Sequence, residues 1–457
     1  MSVDSAFQRL REANPVPRPA LLKEQSRDLA VQLAPVRQRS IEMLTKEVAT
    51  PKPAGSPVRR NWVTAVAAGM AVLIVGSGLF LASRSNPDVA APTDPVLGVF
   101  EALSELENGA RYPVTLPDGT VLVFGGSAAE PPVRVFDPVD RTFTTIGSTT
   151  ISPSADPIPL LDGRVLLAGY SEGGGYGIEL FDPASGRSTL SGYPSGSPVT
   201  ARVGHAAVQL ADGRVLFVGG EPYGATATAD LFDYPGRATE STVFQDGGLG
   251  SHTTTGSMMR PRGEGVTATL LADGRVLVAG GSGVDQPDTT AEIFDPTTGT
   301  FTETGPMSEP RSGHTATLLA DGRVLFAGGY TGTDASGLTT YLATNGDVYD
   351  PATGTFTPTG PMQVPRWFHV AALLRDGRVL IAGGNGAEFR QEGIADAEIF
   401  DPATNQFSVA GSMTSPRQNA GAAVLPNGDV LIVGHANFAG GPRPEADPTQ
   451  IAAELFR

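Results

Sequence analysis

Five arginines recur at matched places in this 457-residue chain and are the first candidates for chemistry. Arg202, Arg311, Arg366 and Arg417 each stand eleven residues before the glycine of an Asn/Asp-Gly pair, and Arg262 stands twelve before its own. A guanidinium offers five donors in a rigid fork and binds carboxylate or phosphate in bidentate fashion. A ring of them could clamp an anionic ligand; equally, it could tie one structural unit to the next. Histidines form a second series. His205, His314 and His369 each lie eight residues before the same glycine. Units related by rotation bring such positions together only near an axis, so the alternatives are a metal site there or a repeated local hydrogen bond. His252 and His435 fall in loop-like positions, outside the series. Tyr330, Trp367 and Phe368 place aromatics beside the arginines.

What positions these side chains is a phrase close to Asp-Gly-Arg-Val-Leu-x-Ala-Gly-Gly. Its Asn/Asp-Gly glycine falls at Gly119, Gly163, Gly213, Gly274, Gly322, Gly377 and Gly428, with gaps of 44, 50, 61, 48, 55 and 51 residues. A period near 50 with strand-like content marks one supersecondary unit copied around a ring. The clearest copy runs from Pro310 to Met362. His314–Leu319 reads as a first strand. Asp321-Gly322 reads as a tight two-residue hairpin turn. The next strand, Arg323–Ala327, is apolar on both faces, as a strand covered on both sides should be. Gly346–Tyr349 is the third strand, closed by Asp350-Pro351-Ala352-Thr353-Gly354, and the fourth carries Phe356. The Asp-Pro turn recurs at Asp137, Asp182, Asp295 and Asp401, and the following aromatic at Phe143, Phe301 and Phe407. Repeat three departs, with Phe232-Asp233-Tyr234-Pro235. The prediction is an all-β, seven-bladed propeller of four-stranded antiparallel blades, preceded by one transmembrane helix.

The recurring Pro-Arg lead, Gly-Gly after the second strand, aromatic-Asp on the third and aromatic on the fourth resemble the kelch family of propellers. The resemblance covers roughly residues 98–457, with Phe where the family favours Trp and with degenerate first repeats. The form is similar to bacterial kelch-like propellers and to the central domain of galactose-oxidase-like proteins. It implies that Arg202, Arg262, Arg311, Arg366 and Arg417, with Trp367 and Tyr330, sit at the mouth of a central channel. It also implies that the Asp-Gly-Arg turns (Arg164, Arg214, Arg275, Arg323, Arg378) lie on the opposite, solvated face. The last repeat ends after three strands at Arg457, while Gly98–Leu103 looks like an orphan fourth strand. Residues near 98–104 are therefore expected to complete the last blade as its outermost strand, closing an otherwise open edge.

Composition narrows the rest. Cysteine is absent, which rules out disulfides, Cys-ligated zinc, a cysteine nucleophile and the tyrosine–cysteine crosslink of copper radical oxidases. The net charge of −16 argues against a nucleic-acid partner. That charge is uneven: residues 1–61 hold 11 Lys+Arg against 6 Asp+Glu, and all three lysines lie there. The stretch Trp62–Ser83 then runs 22 residues without a charge. As a helix it would span about 33 Å, enough for a hydrocarbon core of about 30 Å. Arg59, Arg60 and Trp62 flank it. The basic excess upstream predicts the N-terminus in the cytoplasm and the wheel outside; a cleaved signal peptide is the alternative.

The expected organisation is a tail over 1–61, a span over 62–83, a linker over 84–97 and the propeller over 98–457. Short helices over 4–13, 20–34 and 36–49 fit the tail, which resembles those of bacterial single-pass proteins linked to sigma factors. A cytoplasmic regulator is the partner that resemblance implies; a basic disordered topology determinant is the other reading. For the wheel, the leading expectation is an extracytoplasmic module binding protein, peptide or glycan, with no cofactor and no catalytic or metal residues assigned. The alternatives are a kelch-like carbohydrate-active isomerase or hydrolase, and a transmembrane signalling protein.

Overall fold

A computed structural model describes residues 72–75, 78–81, 98–103, 106 and 110–457, apart from loops at 126–129, 172–175, 192–201, 221–224, 235–249, 284–286, 334–339, 388–392 and 435–452. The expected tail, the linker and the loop His435–Gln450 lie outside the described residues. Within the expected span, Val72–Val75 and Gly78–Leu81 pair antiparallel and abut inner strands of the wheel; the rest of that span is not described. Among the described residues no helix is long and apolar enough to cross a membrane.

The remainder is an all-β wheel of seven antiparallel blades. Blade four is the plainest. Its strands Val266–Leu270, Val276–Gly280, Ala291–Asp295 and Thr300–Glu303 pair in sequence order from the channel outward. Blade two alone splits its inner strand, into Ile151–Pro153 and Ile158–Pro159. Blade seven takes its outer strand from the beginning of the wheel: Phe100–Leu103 pairs with Ala453–Phe456, and Phe100 packs on Phe456 with ring centroids 5.0 Å apart.

The second strands are buried throughout, as in Val324–Ala327 and Val379–Ala382, because each blade is covered on both faces. Seven apolar clusters follow, one at each junction between neighbouring blades; the last joins Leu431 and Leu455 of blade seven to Val121 and Phe136 of blade one. Each junction is a sheet-on-sheet core, so removing a blade would expose two of them. Met258, Met307, Met362 and Met413 fill four of these junctions.

Two local readings change. The Asp-Gly turn is a three-residue loop. Leu319 N–H donates to Arg323 O, Gly322 N–H donates to Leu319 O, and Gly322 sits at φ +90°. That is a type I turn closed by a left-handed glycine, which adds one residue to the two-residue loop expected. His252 is not in a loop; it lies on blade three's outer strand against Phe232, at 4.7 Å, where five other blades carry a phenylalanine and blade two carries Ser188.

Candidate functional site

The five repeat arginines sit in the segments that lead into blades three to seven, Arg417 ending the strand Gln406–Arg417, and all are 0–2% exposed. Each guanidinium turns into its own blade. Arg311 shows the pattern. Its Nη1 donates to Gly328 O and Asn345 O at 2.9 Å each, and its Nη2 donates to Asp347 Oδ2 at 2.9 Å. The other pairs are Arg202–Asp230, Arg262–Glu292 (3.1 Å), Arg366–Glu398 (3.0 Å) and Arg417–Glu454 (2.8 Å). The acid sits on the third strand, and in blades four to seven it also accepts backbone N–H groups from the segment leading into the blade. Glu398 takes those of Gln363 and Val364; Glu454 takes those of Thr414 and Ser415. Burial pulls Arg202, Arg262, Arg366 and Arg417 below the usual arginine range, and their acid partners oppose it.

The arginine backbone extends the clasp across the junction. Gly220, Gly281, Gly329 and Gly384 each donate to the carbonyl of the next blade's arginine at 2.7–2.9 Å. The glycine before each is required by space: a Cβ on Gly328 would lie 2.3 Å from Arg366 O. The arginine ring is thus an interior fastening, not a set of free cations at the mouth.

Blades one and two break the pattern. Glu179 keeps the acid position in blade two and is held by the N–H groups of Thr150 and Ile151 alone, Ser152 standing where an arginine would be. In blade one the acid position is Arg134, itself buried.

The histidines join blades. His314 Nε2 meets Thr267 Oγ1, and His369 Nε2 meets Thr315 Oγ1, both at 3.0 Å and both across a junction. His205 Nδ1 meets Arg202 O at 2.8 Å. Burial beside the arginines brings His205 down to about 4 and His314 to about 3, and holds His369 well below its usual value. All three are neutral at pH 7. Among the described residues no three His, Asp or Glu side chains gather as a metal site.

The open space lies inside this ring. A cavity of about 310 Å3 follows the axis, and its lining includes Arg111, Asp156, Gly204, Glu264, Phe368 and Asn419. Sequence reasoning missed most of these, although a signal was present. Arg111 stands eight residues before Gly119, the place of the recurrent histidine. The residue just before that place is Gly204, Gly265, Gly313, Phe368 and Asn419 in blades three to seven, and all five have positive φ. They form a rim of backbone bonds: Gly313 N–H to Gly265 O, Phe368 N–H to Gly313 O, and Asn419 N–H to Phe368 O. Phe368 sits at φ +47°, where a bulky residue costs roughly 1–3 kcal/mol and persists only under such constraint. Asp156 reaches solvent along the channel but has protein on every side, and this enclosure raises its carboxyl pKa against the pull of Arg111.

Tyr330 and Trp367 are half-buried at the same rim. Their rings meet nearly edge-on at 5.2 Å, and Trp367 lies 4.8 Å from Phe368. Trp367 Nε1 donates to Gly386 O at 3.3 Å.

Seven four-stranded sheets around an axial channel define a β-propeller. A family model of the Kelch motif matches residues 268–308, which cover nearly all of blade four and the start of the next loop. No curated protein matches the chain. The motif match in one blade and the seven repeating blades support a kelch-repeat propeller, a class that generally binds proteins and is commonly without enzymatic activity.

Proposed function

We propose that the protein is a membrane-tethered interaction module whose wheel stands outside the cytoplasm and takes a protein or peptide at the rim carrying Tyr330, Trp367 and Phe368. The observation behind the binding half is that contiguous aromatic stack, half-buried beside the axial cavity. Amphipathic aromatics on a rigid scaffold are suited to partner contact. A photo-crosslinking residue at Tyr330 should capture a partner in the native host, whereas the same residue at Arg323 should not. Equal capture from both positions, or none from Tyr330, contradicts this reading.

The tether rests on the uncharged run Trp62–Ser83 and on the basic excess before it. Within that run, Val72–Val75 and Gly78–Leu81 pair as a two-stranded ladder beside inner strands of the wheel. A two-stranded ladder has open edges that a bilayer cannot satisfy, whereas a helix satisfies every backbone group within itself. The full chain should sediment with membranes, resist alkaline carbonate, and lose its wheel to protease added from outside. Recovery in the soluble fraction contradicts the tether. The 1–61 tail is then left on the cytoplasmic side, where a regulator could dock; tail-dependent pulldown of a sigma factor tests that.

A further inference from the structure

Blades one and two break the repeat where it faces the channel, and the residues that break it are charged. Arg111 takes the recurrent histidine's place in blade one. Asp156 stands seven residues before Gly163, where blades four and five carry Thr267 and Thr315 before their own glycines. Blade two's inner strand is split around it, into Ile151–Pro153 and Ile158–Pro159. Tyr112 ties the two places together across the junction: the Arg111 guanidinium lies over its ring at 5.2 Å, and its hydroxyl donates to Pro153 O at 3.1 Å. Arg111 and Asp156 are exposed, both line the axial cavity, and the field of the guanidinium reaches the carboxyl. Among the described residues neither side chain has a hydrogen bond or an ion pair. The cavity thus holds two opposite charges that act on each other without a bond, and both keep their hydrogen-bonding capacity free.

We propose that the part of the channel between blades one and two binds a free α-amino acid, its carboxylate on Arg111 and its ammonium on Asp156. The inference goes beyond the interaction reading above: it assigns a small-molecule site on other blades and with other residues. Charge selects the ligand. A lone anion on Arg111 is repelled by Asp156, and a lone cation on Asp156 is repelled by Arg111. A zwitterion meets each with its opposite end and brings no net charge into the enclosure. The arginine fork fits a carboxylate, and the aspartate accepts from an ammonium. Such bonds gain strength where protein walls thin out water. A volume of about 310 Å3 is at the small end for ligand sites and suits a single amino acid. Burial raises the Asp156 carboxyl pKa, and a bound ammonium favours the ionised form.

The full chain in detergent micelles is titrated calorimetrically with each of the common L-amino acids. The inference expects at least one to bind saturably, one per chain. Its N-acetyl derivative keeps only the anion and its carboxamide only the cation, and each should bind about tenfold more weakly or worse. Arg111→Gln and Asp156→Asn should each weaken the amino acid by a similar factor. Neither removes a hydrogen bond or ion pair, so both should keep the parent's unfolding temperature; Arg275→Gln, in a turn at the other end of the blades, should keep the parent's affinity. Saturation by no amino acid overturns the inference. An acetylated form that binds as tightly marks an anion site at Arg111 alone and overturns it, as does an equally tight carboxamide, which marks a cation site at Asp156 alone. Both comparisons use the parent chain, so they decide the matter even where a variant misfolds. Unchanged affinity in either folded variant also overturns it. None of these results touches capture at Tyr330, which decides the interaction reading separately.

Discussion

Two sets of arginines recur around this wheel, at opposite ends of the blades, and they behave differently. The set in the segments leading into the inner strands is 0–2% exposed, and each member has a buried acid and carbonyl oxygens as partners. The set in the Asp-Gly-Arg turns is 24–41% exposed, and each member pairs with the aspartate two residues earlier, as Arg323 does with Asp321 at 2.7 Å. Repetition therefore does not distinguish a fastening from a solvated turn; what the guanidinium displaces does. In the first set it replaces water with carbonyls and a carboxylate that have no other solvent. In the second it exchanges one exposed partner for another. The outer set is not wholly idle: Arg214 reaches Pro296 O and Arg323 reaches Pro402 O, each in the next blade, at 3.4–3.5 Å.

The contrast breaks most visibly under charge reversal. Arg311→Glu places two carboxylates in one buried site and should prevent folding, read as loss of soluble, protease-resistant wheel. Arg323→Glu should leave a folded protein with a urea midpoint close to the parent's, because the repulsion with Asp321 is screened by water.

Acid is the next lever, because the buried end carries histidines and the turn end does not. His205 and His314, at about 4 and about 3, and His369, held well down, all lie below the usual 6.5. Between pH 6.5 and those folded values the unfolded chain binds protons that the fold refuses. Stability is therefore full above about pH 7 and declines as pH falls through that window, by about 1.4 kcal/mol per unit for each histidine as an upper bound. Urea midpoints from pH 7.5 to 5 should fall, and the triple variant His205→Gln, His314→Gln, His369→Gln should flatten the slope. A parent curve flat to pH 5 would contradict the neutral-histidine junctions.

Within the exposed set the smallest effects sharpen the picture. Arg275→Ala should cost no more than about 0.5 kcal/mol, and Arg214→Ala a few tenths more, because Arg214, unlike Arg275, adds a side-chain bond to the next blade at Pro296 O. Paired thermal unfolding curves measure that difference.

Much of the wheel was legible because a strand covered on both faces has few ways to be written. The all-apolar second strands, the Asp-Pro turns and, in four blades, the phenylalanine six residues after the turn aspartate (Phe143, Phe301, Phe356 and Phe407) repeat with the blade. The turn length was misjudged because Asp-Gly suits both a two-residue and a three-residue loop; the Leu319–Arg323 bond decides it. His252 was missed as a strand residue because blade three puts an imidazole where five other blades put a benzene ring. The mouth was the least legible part. Spacing marked the arginines as a ring but carries nothing about which way a guanidinium turns, and the acids that receive them sit 28–37 residues away. Phe368 was visible as an aromatic, but its strain arises from bonds to Gly313 and Asn419 in neighbouring blades. Asp156 and Arg111 belong to the two degenerate repeats, where the pattern gives least guidance.

A double-mutant cycle on Arg311 and Asp347, followed by urea unfolding, tests most directly whether the arginine ring fastens the wheel. Arg311→Met and Asp347→Leu should each lose about 3–5 kcal/mol by stranding a buried charge, and the combined variant should recover most of that loss. Single variants as stable as the parent, with no coupling between them, would mean that the ring serves something other than the fold.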